Sequence, residues 1–240
     1  MAVRALSSVL KSLAVLDAVA SASSPMALSE IARALGEARG ATLQRLVTLA
    51  EGGLVEQTDA GGYRLTLRMV RYANAAMEQA KLGARVADVL QDLVSDSNET
   101  ASLAVLDGPE AVIVRRVESR GVLRADLRVG AHLNLELTAM GRILATYASP
   151  GQRERWREAG TVLPDDSMME KIRADGYAIN GMTGPRSVSA VAAPVFDERG
   201  DCVATVALSG PTVGFEMDNC AALVKAAAQN INARLKGDAK

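Results

Sequence analysis

Apolar positions over the first 98 residues recur at three- and four-residue intervals, and beyond them short runs dense in Val, Ala and Leu alternate with helical stretches. The first pattern predicts amphipathic helices and the second a sheet with helices between its strands. Leu6, Val9, Leu10, Leu13, Leu16 and Val19 make one stripe of a first helix, which ends before Ser21-Ala22-Ser23-Ser24-Pro25. Leu28, Ile31, Ala32 and Leu35 predict a second, shorter helix closed by Gly36. A third carries its apolar face on Leu43, Leu46, Val47 and Ala50 and stops at Gly52-Gly53, which leaves Arg39, Gly40, Thr42, Gln44, Arg45 and Thr48 outward. Leu54-Val55-Glu56-Gln57 and Tyr63-Arg64-Leu65-Thr66-Leu67 then read as two strands around Asp59-Ala60-Gly61-Gly62, a turn composition suited to positive backbone angles.

Residues 69–81 read as an Ala- and Met-rich linker helix, broken at Gly83. The next helix places Val86, Val89, Leu90, Leu93 and Val94 on one face. Strands are predicted at Ala101–Leu106, Ala111–Val117 and near Leu123–Val129. Three helices follow. The first is capped by Thr138, the second starts at Ser149-Pro150-Gly151-Gln152 with the composition of a capping box, and the third begins at Asp165 or Asp166 and ends at Gly176. Strands resume at Tyr177–Asn180, Ser187–Val195 and Cys202–Ser209, and a last helix covers about Asp218 to Leu235. Strand pairs on short turns with helices between them predict an antiparallel α+β domain, and no glycine-rich phosphate loop follows any strand.

Two short helices on a tight turn, backed by a first helix and followed by a hairpin, predict a winged helix-turn-helix whose third helix enters a major groove. Arg, Gln and Thr are the side-chain types that pair with guanine, adenine, phosphate or a thymine methyl, and Arg64 and Arg68 fall where a wing meets the phosphate backbone. Charge adds little. The chain carries a net −1, and its first 80 residues hold eight Lys/Arg against seven Asp/Glu, so any nucleic-acid contact is local. Aromatics form only 3% of the 240 residues, which disfavours base-stacking modules. The two cysteines, Cys202 and Cys220, have no metal-ligand spacing, so neither metal nor cofactor is expected. The chain has no secretion signal and no apolar run of membrane-spanning length, which predicts a cytoplasmic protein.

Arg4-Ala5-Leu6, Leu28-Ser29-Glu30-Ile31-Ala32, Thr42-Leu43-Gln44-Arg45-Leu46, Tyr63-Arg64-Leu65, Ala139-Met140-Gly141-Arg142-Ile143-Leu144-Ala145 and Val191-Ala192-Ala193-Pro194-Val195 together resemble the IclR family of bacterial transcriptional regulators. The resemblance implies a winged helix-turn-helix at 1–68, a linker helix at 69–82 and a GAF-like effector domain at 83–240, acting as a homodimer or homotetramer on double-stranded operator DNA. It also implies base contacts from helix three and effector contacts at 137–141, around Asn180–Ala192 and at Thr205–Ser209, which include Ala207. Met140-Gly141-Arg142 is similar to a segment common in the branch that senses aromatic acids. The chain departs from the family pattern by one extra residue between Gly36 and helix three, and by Thr66, Thr183 and Ser187 where other residues are usual.

The N-terminus of the helix at Thr138, Ala139, Met140 and Gly141 concentrates free amides and positive dipole, a seat for a carboxylate of a small organic acid. Gly141 would admit the ligand to the backbone, Ser187 and Ser189 would supply hydroxyls from the facing strand, and Ala190, Val191 and either Val203 or Thr205 apolar wall. Two rival classes remain at this level. An enzyme would have to use His132, the only histidine, which no nucleophile motif accompanies, and so no catalytic residue is assigned. A small-molecule sensor or scaffold without DNA binding would suit the neutral N-terminal charge.

Overall fold

The computed structural model describes residues 4–119, 128–180 and 188–237. Ser187, Thr183 and most of the strand expected at 123–129 lie outside them. The chain divides into two compact units, Met1–Ala80 and Lys81–Lys240.

The first unit runs α1 (Ser7–Ser21), α2 (Leu28–Ala34), α3 (Arg39–Glu51), β1 (Val55–Gln57), β2 (Tyr63–Leu65) and α4 (Arg68–Gln79). Glycines at the expected stops take left-handed backbone: Gly36 after α2 has φ +62° and Gly53 after α3 has φ +69°. β1 and β2 pair antiparallel with Glu56 opposite Arg64, and Met26 adds a bridge to Tyr63. Val15, Leu16, Val19, Ile31, Leu46, Leu49, Val55 and Tyr63 close the core.

Two sequence expectations shift here. Only the second half of the α1 stripe is buried, while Leu6, Val9, Leu10 and Leu13 stand 49–69% exposed. On α3 the buried stripe is Thr42, Leu46 and Leu49 rather than Leu43, Leu46, Val47 and Ala50. Thr42 can take a core position because its hydroxyl donates to the Ala38 carbonyl at 3.3 Å. The helix is therefore turned so that Leu43 and Val47, 40% and 49% exposed, face out.

The second unit opens with α5 (Ala84–Ser97), whose Val86, Val89, Leu90, Leu93 and Val94 are all buried. It continues with β3 (Thr100–Asp107), β4 (Glu110–Val117), β5 (His132–Leu133), α6 (Ala139–Tyr147), α7 (Pro150–Glu158), α8 (Asp166–Asp175), β6 (Ala178–Ile179), β7 (Val188–Phe196), β8 (Cys202–Pro211) and α9 (Met217–Lys236). The six strands form one antiparallel sheet in the order β5-β4-β3-β8-β7-β6. α5 and α9 pack on one face and α6 on the other. Caps fall where the sequence put them: Thr138 accepts from the Gly141 amide, Ser149 and Gln152 form a reciprocal box, and Asp165 accepts from Met168. Arg234 binds both oxygens of Asp88 at 2.6 and 2.7 Å, tying α9 to α5.

Candidate DNA-reading helix and effector floor

α3 follows α2 through a four-residue connection and presents a solvent-facing stripe of Gly40, Leu43, Gln44 and Val47. Arg39 starts the helix and is exposed, and Thr48, also exposed, bonds back to the Gln44 carbonyl at 2.9 Å. Two of the outward-facing residues expected on this helix are placed otherwise. Thr42 is fully buried. Arg45 is only 17% exposed and its guanidinium meets Glu37 at 2.5 Å, while Glu37 also holds Lys11 of α1 at 3.0 Å. Glu37 thus ties α1, the α2–α3 connection and α3 together, an ion-pair triad that sequence spacing alone does not reveal.

On the hairpin, Arg64 is 61% exposed and pairs across the strands with Glu56 at 2.7 Å. Arg68 is not the end of the wing but the first residue of α4, and its guanidinium donates to the Gly52 carbonyl at 2.8 Å. That guanidinium occupies the space above Gly53, where a Cβ would meet it at 2.8 Å. Between α1 and α3 lies a groove of about 570 Å³, lined by Val9, Leu13, Gln44, Thr48 and Leu54 among others.

In the second unit, the loop before α6 is built by its own side chains. The Asn134 side-chain oxygen accepts from the amides of Glu136 and Leu137 at 2.8 and 2.9 Å. Thr138 donates its hydroxyl to the Asn134 carbonyl and accepts from Gly141. Arg142 donates to the carbonyls of Glu136 and Ile179, at 2.5 and 2.8 Å, and so joins this loop to β6. Burial holds its pKa below the ordinary arginine value.

Gly141 is not open to a ligand. A Cβ there would run into the Asn134 carbonyl, the Leu135 Cα at 2.7 Å and the Thr138 hydroxyl, so the glycine serves the chain's own close approach. Ala139 and Met140 are buried in the core beneath the helix, 1% and 6% exposed.

Strand alternation sorts the remaining expected residues. The α6-facing side of the sheet carries Ala190 and Ala192 of β7, Thr205 and Ala207 of β8, and Ser102 and Ala104 of β3, as their register and shared core show. Thr205, fully buried, donates to the Ala193 carbonyl at 3.0 Å. Ser189 and Val191 sit between these positions and point to the opposite face; the Ser189 hydroxyl meets Thr212 at 3.1 Å. Asn180 spends its amide on β7, donating to Val188 and accepting from Ala190.

Sequence reading missed the β3 members, Thr100 and Ser102, of a set of buried hydroxyls on the α6-facing side; Ser209 lies within the 205–209 run that the resemblance implied. Thr100, Ser102 and Ser209 are 2%, 3% and 7% exposed, with Thr100 opposite Ser209 and Ser102 opposite Ala207. Ser119, 6% exposed, donates its amide to the Thr100 hydroxyl at 3.2 Å. The signal was the two-residue period of small side chains at Thr100, Ser102 and Ala104 in β3 and at Thr205, Ala207 and Ser209 in β8.

The two architectures now have matches. Residues 74–233 match the bacterial transcriptional regulator IclR C-terminal domain, and residues 8–59 the IclR helix-turn-helix domain. The chain belongs to the IclR family of transcriptional regulators. It is 30% identical over 217 residues to the regulator BhcR of Paracoccus denitrificans strain Pd 1222, covering 85% of this chain and 77% of that protein. It is likewise 30% identical over 217 residues to the glycerol operon regulatory protein of Streptomyces coelicolor, covering 86% and 85%. Its fold is that of an IclR homolog from Microbacterium hydrocarbonoxydans solved with 4-hydroxybenzoate, at TM-score 0.80, 18% identity and coverage of 96% and 100%.

As an IclR-type regulator, the chain joins a DNA-binding helix-turn-helix to a C-terminal effector domain built on an antiparallel sheet. The BhcR and glycerol-operon relatives are named as transcriptional or operon regulators. His132, the enzyme reading's one candidate base, lies on the short strand β5 and pairs with Glu110 at 2.9 Å, with both side chains half exposed. Burial pushes the Cys202 thiol up to about 12 and the Cys220 thiol up to about 11, which makes both poor nucleophiles. Among the described residues no helix is long and apolar enough to cross a membrane, and no cluster of three His, Cys, Asp or Glu side chains stands ready for a metal.

Proposed function

We propose that the effector domain binds a small organic acid on the α6-facing floor of the sheet, and that this binding alters the grip of the N-terminal domain on its operator. The observation that carries the reading is the row of buried hydroxyls, Thr100, Ser102 and Ser209, among alanines at positions 104, 190, 192 and 207. The alanines pack against α6, the hydroxyls lie in the same or neighbouring rows of the sheet, and a few fixed hydroxyls among apolar atoms are what a compact polar ligand needs. The first-turn amides of α6 at Ala139 and Met140 supply positive potential from above for a carboxylate. The Microbacterium homolog's 4-hydroxybenzoate supports an aromatic acid as the first class to test.

Thr138 and Gly141 shape this site rather than touch the ligand, since each is engaged by the Asn134 loop. DNA contact is assigned to Arg39, Gly40, Gln44 and Thr48 on α3 and to Arg64 on the hairpin. Two or four copies of the chain act together, through the exposed apolar side chains of α1 and through Val70 and Tyr72 of α4, 51% and 43% exposed.

Isothermal titration of the full-length protein with hydroxybenzoates and short aliphatic acids tests the ligand assignment. One of them is expected to bind, and Ser102→Val to weaken it at least tenfold without lowering the melting temperature by more than a few degrees. If no acid binds, or if Ser102→Val binds as the wild type does, the floor is not the site.

A further inference from the structure

The outward stripe of α3 is apolar where a solvated helix face would be charged. Leu43 and Val47 are one turn apart, 40% and 49% exposed, with Gln44 exposed between them. Gly40 continues the stripe one turn toward the helix start. That glycine has no reason inside the chain: a Cβ on it would meet nothing within 4 Å and it lacks the positive φ that calls for glycine. Inside a helix a glycine is less favourable than alanine, so a glycine without a local cause points to something outside that must come close. The stripe belongs to the DNA-binding domain's own third helix, so its apolar atoms are continuous with the surface that enters the groove.

We propose that Leu43 and Val47 read thymine methyl groups in the major groove, flanking an adenine read by Gln44, with Gly40 clearing the path for the duplex. The thymine C5-methyl is the one apolar group on a major-groove base edge, and a Gln amide matches the N6/N7 edge of adenine. Leu and Val packed on methyls and Gln on adenine therefore specify a run of A·T pairs, with no cation among the base readers. This assignment rests on the DNA-binding reading of α3 and deepens it. Arg45, which sequence alone offers as a base reader, is engaged with Glu37 and stays out of the code.

The test begins with duplexes retained by the full-length protein from a random-sequence pool, followed by replacement of each thymine by uracil, which deletes the methyl and nothing else. Uracil at two neighbouring A·T positions per half-site is expected to weaken wild-type binding by about fourfold each, the effect of withdrawing one buried methyl from contact. Leu43→Ser with Val47→Ser is expected to bind thymine and uracil duplexes equally. Gly40→Ala is expected to raise the melting temperature while lowering operator affinity about tenfold. If uracil substitution leaves wild-type affinity unchanged at every position, or if the double variant changes the oligomeric mass of the protein, the methyl-reading assignment is overturned while DNA binding stands. If the wild-type protein retains no duplex at all, the assignment falls together with the DNA-binding reading of α3.

Discussion

Glycine 141 carries a lesson about reading single residues. A glycine in the first turn of a helix near an anion-friendly N-terminus looks like a door for a ligand, yet the space over its Cα is filled by the Asn134–Thr138 loop. Gly141→Ala is therefore expected to lose about 1–3 kcal/mol of stability, as overpacked core sites do, and Thr138→Ala about 1 kcal/mol for the lost cap, both measured by chemical denaturation. Glu99 makes a different residue-scale case. Its carboxylate lies over Gly210, where a Cβ would run into it, and burial raises its pKa above the usual carboxylate range. A raised carboxyl pKa means the folded state holds its proton more tightly than the unfolded chain, so the cost of Glu99 is absent below its ordinary value of 4.5 and sets in as pH climbs through the folded value. Glu99→Gln should thus gain stability over the wild type at neutral pH, with the gain vanishing below pH 4.5, in melting curves recorded across that range.

At the scale of elements, helical periodicity located α3 correctly but turned it by most of a residue's angle. The sequence offers two overlapping stripes, 43/46/47/50 and 42/46/49, and hydrophobicity favours the first. Packing chose the second, because Thr42 can satisfy its hydroxyl on its own helix and the Glu37 triad fixes Arg45 on the α1 side. Alanine at Glu37 and at Arg45 should accordingly be non-additive, with a coupling of about 1 kcal/mol in a double-mutant cycle of stability. The same placement predicts that Arg45→Ala leaves the salt dependence of DNA binding unchanged, whereas Arg39→Ala makes it shallower by about one unit of slope if Arg39 meets a phosphate. Strands show the complementary case. Register decided that Ser189 and Val191 face away from α6 while Thr205 and Ala207 face it, and a two-residue period with both faces buried gives no way to tell the faces apart in advance.

For the molecule as a whole, each of the two compact units closes its own core: eight side chains around Leu46 in the first, and a larger cluster around Ile143, Ala192 and Ala207 in the second. A core of the second kind is large enough to hold a domain together by itself. Residues 81–240 expressed alone are therefore expected to unfold in a single cooperative transition and to bind the acid that binds the full chain. A fragment without a cooperative transition would show that the sheet depends on the first unit.

What the amino-acid sequence determined was the order and type of the described elements, except β5, whose two residues are too few to carry a strand pattern of their own. Their caps, stops and turns depend on a few neighbouring residues: Thr138, the Ser149–Gln152 box, Asp165, Gly36, Gly53 and Gly176 all act as their local chemistry dictates. What only the tertiary structure decided was which way each element faces. Facing depends on partners distant in the chain, such as Glu37 with Lys11 and Arg45, Ser102 with Ala207, and Arg142 with Ile179. Local periodicity supplies an axis and a repeat, but the free energy that selects among rotations about that axis comes from burial and charge pairing that exist only once the chain has closed.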